Sequence, residues 1–400
     1  MLSKILPLLL LLLFPGCFSK KNVTDNASPP AENDRTAENL IAMNEAARIA
    51  AALDDRQLAA QVIISGIDGK GQLTGDMKLL LSECPVGGIM LFRYNLDTDN
   101  DMIRNLIAES SAADAAVAAI PPFVAADHEG GKVNRFRAGV ADIPPAAFYW
   151  EMAQDKDKET AIEHITADSF NAGKEIYDLG INMNFAPVAE YLNKDNRDFL
   201  EDRSYGPNST FTAEAASAFI AGMNQAGILC VVKHFPGTAG TDPHYFPSVL
   251  NGDRAALEEL TVPIAALIRN GYAQAIMISH SAVPAWDSEI ASLSPVIMGG
   301  WLRQELGFEG IIISDDFSMA SARGTASAGG GLKPEAAAVL SLAAGADMVL
   351  VWPPDLRRTH RAIVTALDDG RLSRERLREA AQRIIFEKIQ MKIIPMGNEE

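Results

Sequence analysis

A chain of 400 residues with 48% hydrophobic content can bury a full core, and its length suits two average domains or one α/β barrel of about 250 residues or more with extensions. A formal net charge of −17 supplies no basic surface to neutralise phosphates, which excludes nucleic acid as a partner. The acidity itself says little beyond solubility.

The N-terminus reads MLSKILPLLLLLLFPGC: Lys4, an apolar run from Ile5 to Phe14, then Gly16 and Cys17. The run is too short to span a bilayer comfortably and has the form of a signal-peptide core. A cysteine directly after it resembles a bacterial lipoprotein signal, in which Cys17 becomes the lipidated first residue of an exported protein anchored in the cell envelope. Phe14 and Pro15 are unusual for that motif, and the alternative is an ordinary secretory signal or an uncleaved anchor. Residues 1–17 are read as the signal and 18–38, rich in Asn, Ser, Pro, Ala and charge, as a solvated tether. A single catalytic domain is then expected over 39–395. Cys84 and Cys230 lie beside apolar runs and read as buried thiols, with a disulfide left open. No Cys/His cluster has metal-ligand spacing.

Beyond the tether, short apolar runs recur with helix-like segments between them. They are QVIISGI (61–67), VGGIMLF (86–92), PFVAAD (122–127) and INMNFAPV (181–188), then GILCVVKHF (227–235), AIMISH (275–280), GIIISDD (310–316) and DMVLVW (347–352). Near-continuous apolar strands are buried on both faces, as in a parallel sheet. The stretches between them have helical periodicity, and Gly227 and Gly271 stand where C-caps belong. Eight strands alternating with helices point to a (β/α)8 TIM barrel, with a doubly wound open sheet as the runner-up. Two further helical segments follow residue 352.

Asp127, Lys233, His234, His280, Asp315 and Asp316 each fall at the end of such a strand, the rim where a barrel of this kind assembles its active site. Adjacent strand residues point to opposite sides, so only one of Asp315 and Asp316 is expected to face the barrel mouth. A carboxylate fixed there can attack an electrophilic carbon and form a covalent ester, as a retaining glycosidase does. It needs a partner that gives and takes a proton, and no Glu or Asp ending another strand is an obvious acid. Asp242-Pro243-His244, in a Gly/Pro loop leaving the fifth strand, is the candidate, since a carboxylate can orient an imidazole and stabilise its cation.

These stretches, with DHEGGKVNRF, EDRSYGPN, SPVIMGGWLRQELGFEGIIISDDFSM and AGADMVLV, resemble glycoside hydrolase family 3 in its β-N-acetylhexosaminidase branch, over about residues 50–355. The resemblance implies a single barrel, Asp315 as nucleophile, His244 as acid/base and Asp242 as its partner. It implies that Asp127, Arg203, Lys233 and His234 hold the sugar in the innermost subsite, with no metal or organic cofactor. Glu129 and Arg135 are equally well read as structural parts of the Gly130-Gly131 loop. The sequence departs from the branch chiefly in one loop: Thr238-Ala239 replaces a His-Gly pair, the loop to Asp242 is two residues shorter, and Pro243 replaces a small hydroxyl residue; Lys132, where the family commonly has Arg, is a lesser departure. Proline at 243 either preorganises the pair or holds it away from Asp315.

The expected activity is release of terminal β-linked N-acetylglucosamine by a retaining exo-glycosidase, on peptidoglycan fragments or other envelope glycans. The carbohydrate is the only partner implied, and membrane contact only through the lipid. A related β-glycosidase or a phosphorylase is the alternative, because a histidine acid/base tolerates an anionic acceptor and Lys233 and Lys132 add positive charge. From another class, the alternative is a sugar-binding lipoprotein whose shortened loop no longer catalyses.

Overall fold

The computed structural model describes residues 32–118, 120–323 and 331–395. The signal segment, lipidation at Cys17 and most of the tether therefore lie outside the described residues. Contacts divide the chain into Met1–Leu40 and Ile41–Glu400. In the first unit the described part is helical, because a helix runs from Glu32 to Ala52. Residues 32–38, read from composition as tether, thus belong to a helix. Glu, Ala and Arg serve a solvated linker and a solvated helix equally well, so composition alone cannot find that boundary. Farther along the same helix Ala42, Ala46 and Ala50, spaced four apart, are buried. No described helix is long and apolar enough to cross a membrane.

The second unit is built on eight parallel strands: β1 Ile63–Gly66, β2 Gly88–Leu91, β3 Phe123–Ala126, β4 Met183–Asn184, β5 Leu229–Phe235, β6 Ala275–Ile278, β7 Ile311–Asp316 and β8 Met348–Val351. Each pairs with its neighbours in chain order, and β8 returns to β1 through Ile63↔Val349, closing the barrel. The eight runs expected from sequence are these eight strands, and the closed order removes the open-sheet alternative. Their residues are buried on both sides except at the carboxyl end of β7, as a barrel between a packed lumen and a helix layer requires. Gly227 and Gly271 take positive φ just after the helices Ser209–Gln225 and Val262–Arg269, as expected of residues ending a helix. Helices Lys158–Asp178 and Ser209–Gln225 approach so closely at Gly222 that a Cβ there would lie 2.2 Å from Ser169 Oγ.

The last helix, Arg374–Gln390, is clamped to the barrel by one buried carboxylate. Asp347, at the foot of β8, takes Arg303 at 2.5 Å, Arg376 at 2.6 Å, Arg383 at 3.2 Å and the Ile312 N–H at 2.9 Å. Cys84 and Cys230 are both free and buried.

Two irregularities in the ladder decide where side chains go. The β5–β6 register slips between Val232 and Phe235, and the β7–β8 register slips between the partners of Met348 and Leu350. A bulge adds a residue to one strand and breaks the strict alternation of faces. Both slips fall on the residue pairs singled out from sequence, Lys233-His234 and Asp315-Asp316.

Candidate active site

At the carboxyl ends of the strands lies a cavity of about 240 Å³. Among its lining residues are Asp127, Arg203, Lys233, His234, His244 and Asp315. Six of the seven residues chosen from sequence for catalysis and sugar binding therefore border one space. Asp242, the seventh, lies behind His244 and holds it.

One wall is an ion network rooted in β3 and β5. β3 runs into a hairpin, His128–Gly130 with Val133–Asn134, whose turn uses Gly130 and Gly131 at positive φ. A Cβ on Gly130 would meet Pro144 O at 2.5 Å, so the turn requires glycine there. The hairpin aims Glu129 inward. Arg203 grips Glu129 with two hydrogen bonds of 2.8 Å, and Lys233 Nζ bridges Glu129 at 2.7 Å and Asp127 at 3.0 Å. Arg135 holds the other oxygen of Asp127 at 3.0 Å. Burial works to raise both carboxyl pKa values. The charges of Lys233 and Arg135 outweigh it at Asp127, and those of Arg203 and Lys233 outweigh it at Glu129, so both acids titrate below their ordinary range. Burial likewise opposes the charge on Arg203, but Glu129 more than compensates and raises its pKa. Glu129 and Arg135 are thus members of the site, not merely parts of a loop.

A second carboxylate organises the β5 exit. Glu190, buried just beyond β4, accepts His234 Nδ1–H at 2.7 Å through Oε1. Its Oε2 accepts the Thr238 backbone N–H at 2.7 Å and the Thr238 hydroxyl at 2.9 Å. The tautomer this imposes leaves His234 Nε2 free to face the cavity. Sequence reasoning missed Glu190. The signal was present, an acid two residues after an apolar run, but nothing in the sequence ties it to His234 and Thr238.

Asp315 and Asp316 both border the cavity, contrary to the expectation that only one would. The register slip in β7 removes the alternation on which that expectation rested. Their surroundings still separate them. Asp316 is engaged by Ser318 N–H at 2.7 Å, Ser318 Oγ at 2.6 Å and Trp352 Nε1 at 2.5 Å. Asp315 accepts the Asp316 N–H at 2.8 Å through Oδ1, and among the described residues its second oxygen takes no hydrogen bond. His280 donates from Nε2 to the Asp316 carbonyl at 3.1 Å and accepts Ser292 Oγ at 2.7 Å on Nδ1. Burial keeps its pKa low against the pull of Asp315, so it serves as a neutral brace for the end of β7. Phe92 stacks on Trp352 with centroids 4.3 Å apart, forming an apolar wall beside the carboxylates.

The shortened loop reaches the same cavity. After Gly237, whose carbonyl accepts Ser281 Oγ at 3.0 Å, the Thr238–Glu190 bonds fix its base. Asp242-Pro243-His244 then forms a tight turn, Asp and Pro being favoured at the first two turn positions. Asp242 Oδ1 accepts His244 N–H at 3.0 Å and its Nδ1–H at 2.7 Å. Pro243 O accepts Ser321 N–H at 3.1 Å, tying the turn to the segment that follows β7. Partial burial pushes the Asp242 pKa up, but the His244 bonds prevail and hold it below the usual carboxylate value. The His244 side chain stays 61% exposed, open to an incoming group. Lys132 does not line the cavity, and its ammonium is paired with Glu201 and Asp202. It therefore adds no free charge for a phosphate. No group of His, Cys, Asp and Glu among the described residues could hold a metal ion.

Comparison with known proteins agrees with this geometry. The sequence model described as glycosyl hydrolase family 3 N terminal domain matches residues 56–386. A curated β-hexosaminidase of Idiomarina loihiensis is 34% identical over 284 residues, which is 70% of this chain and 80% of that protein. The solved glycoside hydrolase family 3 β-N-acetylglucosaminidase of Paenibacillus sp. FPU-7 superposes with a TM-score of 0.77 at 29% identity. That match covers 87% of this chain and 66% of the Paenibacillus chain. NagZ from Neisseria gonorrhoeae, solved in complex with N-trifluoroacetyl-D-glucosamine, superposes with a TM-score of 0.67 at 27% identity, covering 81% and 89% of the two chains.

Proposed function

The chain belongs to glycosyl hydrolase family 3 and is a glycoside hydrolase, and from that premise we propose that it releases terminal β-linked N-acetylglucosamine with retention of configuration. The observation that carries the reading is the convergence of Asp315, the Asp242–His244 pair and the Lys233–Glu129–Arg203 network on one small cavity. Its volume, about 240 Å³, lies below the roughly 300–1,000 Å³ typical of sites for drug-sized ligands, which suits one sugar unit and exo-action.

In this reading Asp127 accepts sugar hydroxyls, while Lys233, Arg203 and His234 bind the remaining hydroxyls and the acetamide. Asp315 attacks the anomeric carbon through the oxygen that takes no hydrogen bond among the described residues. The glycosidic C–O bond breaks as protonated His244 passes its Nε2 proton to the leaving oxygen, giving a glycosyl ester on Asp315. Neutral His244 then removes a proton from water, the water oxygen bonds to the same carbon, and the Asp315 carboxylate leaves. Two inversions retain the configuration. Asp242 holds Nδ1–H throughout and balances the imidazolium.

The test is turnover of p-nitrophenyl N-acetyl-β-glucosaminide by the wild type, Asp315→Ala and His244→Ala. Wild-type activity no higher than that of Asp315→Ala would refute hydrolysis at this site. We also propose export to a bacterial cell envelope with lipid on Cys17, acting there on peptidoglycan fragments or other envelope glycans. The basis is the apolar run ending at Gly16-Cys17. Metabolic lipid labelling that persists in Cys17→Ser would overturn the anchor.

A further inference from the structure

We infer that Tyr245 and Phe246 form an aromatic aglycone subsite, which stacks on the sugar to which the departing N-acetylglucosamine is joined. This rests on the exo-hydrolase reading above and extends it to the leaving half of the substrate.

Among the described residues no large hydrophobic side chain is more exposed than Tyr245, at 73%, and its chain neighbour Phe246 is 58% exposed. Exposed aromatics are unremarkable when scattered, but these two are adjacent and directly follow His244, which lines the cavity. Asp242 sets both the rings and the acid/base. Its carboxylate holds His244, and its carbonyl accepts Tyr245 N–H at 3.1 Å and Phe246 N–H at 3.0 Å. The proton donor and the two rings therefore ride on one turn. Apart from its neighbour His244, no aromatic ring contacts Tyr245 among the described residues, and its hydroxyl has no hydrogen bond there.

The substrate's own geometry supplies the occupant. The cavity has room for one sugar, so a second sugar must lie outside it. The glycosidic oxygen that joins them must come within hydrogen-bond reach of His244, about 3 Å. The leaving sugar begins at that atom, and the Tyr245 ring centroid is 6.4 Å from that of His244, within the span of one sugar ring. The chemistry differs from that of the cavity. Inside, ion pairs address hydroxyls and the acetamide. Outside, the negative face of an aromatic ring meets the polarised C–H face of a pyranose. Such stacking tolerates different hydroxyl patterns, and so selects a sugar as aglycone rather than one particular sugar.

The experiment compares N,N′-diacetylchitobiose with methyl N-acetyl-β-glucosaminide. Both leaving groups need a proton from His244, but the methyl glycoside lacks a second ring. In Tyr245→Ala/Phe246→Ala, kcat/KM for the disaccharide should fall about tenfold relative to the methyl glycoside, mostly through KM. Tyr245→Phe should keep the wild-type ratio because it keeps the ring. A ratio unchanged in the double variant would overturn the subsite, as would an equal loss on both substrates, which marks displacement of His244. Wild-type enzyme that cleaves neither substrate would instead refute the hydrolase reading beneath it.

Discussion

Glu190→Gln isolates a positioning role because it changes chemistry at nearly constant shape. In the native site one oxygen of Glu190 accepts two hydrogen bonds from Thr238, and the other accepts His234 Nδ1–H at 2.7 Å and, more weakly, the His234 backbone N–H at 3.4 Å. A glutamine has one accepting oxygen and one donating NH2. The Thr238 backbone N–H can only donate, so it claims the amide oxygen. The NH2 then faces His234 Nδ1 and forces the opposite tautomer, which turns Nε2 from an acceptor into a donor toward the sugar. The main loss is the short hydrogen bond from Nδ1 to a carboxylate, about 1.5–3 kcal/mol, the long one from the His234 backbone adding little. At about 1.4 kcal/mol per tenfold, kcat/KM on p-nitrophenyl N-acetyl-β-glucosaminide should fall roughly 10- to 100-fold. The Thr238 bonds survive, so the thermal unfolding midpoint followed by circular dichroism should move little. An activity within twofold of wild type would refute the argument, and so would an activity loss matched by a large fall in the unfolding midpoint.

His244→Ala should lower kcat/KM on the methyl glycoside about 10²- to 10⁴-fold and on an activated aryl glycoside much less, because kcat/KM reports the step that forms the glycosyl ester and only the poor leaving group needs a proton there; equal losses on both would remove His244 from the acid role. Asp127 and Glu129 titrate below their ordinary range in the folded protein, so their contribution to stability is complete above the unfolded carboxylate value of about 4 and disappears as pH falls through the depressed folded values. Thermal melts across pH should therefore drop steeply on the acid side, and Glu129→Gln should melt lower at neutral pH with a shallower acid limb; an unchanged limb would exclude this pair as its source. Asp347→Asn leaves three arginines facing one another around a fully buried position, and should cost roughly 3–5 kcal/mol, seen as a melting point about 5–10 °C lower. A wild-type melting point would show that the last helix is not held by this clamp.

The barrel was legible because parallel strands buried on both faces leave continuous apolar runs, and each of the eight strands falls within one. The polar residues ending those runs were legible for the same reason. A charge that closes an apolar strand stands out, and Asp127, Lys233 and Asp315 all do so. Regular alternation was the wrong guide at the strand ends. It takes an unbulged ladder for granted, while the register slips at β5 and β7 put both members of each polar pair on the cavity. Bulges arise from the pairing of two strands, which neither strand's sequence displays alone. The same limit hid Glu190 and left Glu129 undecided. Each acts by holding a cation or an imidazole from elsewhere in the chain, 44 residues away for His234 and 74 for Arg203.

The shortened loop shows how a sequence departure acquires meaning once its partners are visible. Two fewer residues and a proline restrict where His244 can go, and from sequence that restriction has no sign. In the structure, each end of the loop is tied to the barrel. Thr238 bonds to Glu190, the Pro243 carbonyl accepts the Ser321 N–H beyond β7, and Ser248 joins Ser281 at 2.8 Å. A longer, looser loop would have to order itself around each substrate, and ordering backbone costs about 1–2 kcal/mol per residue. A short loop braced at its base and at its turn has already lost that freedom on folding. In the proposed mechanism Pro243 therefore works toward catalysis. It stiffens the segment that carries His244, its carboxylate partner Asp242 and the two exposed rings.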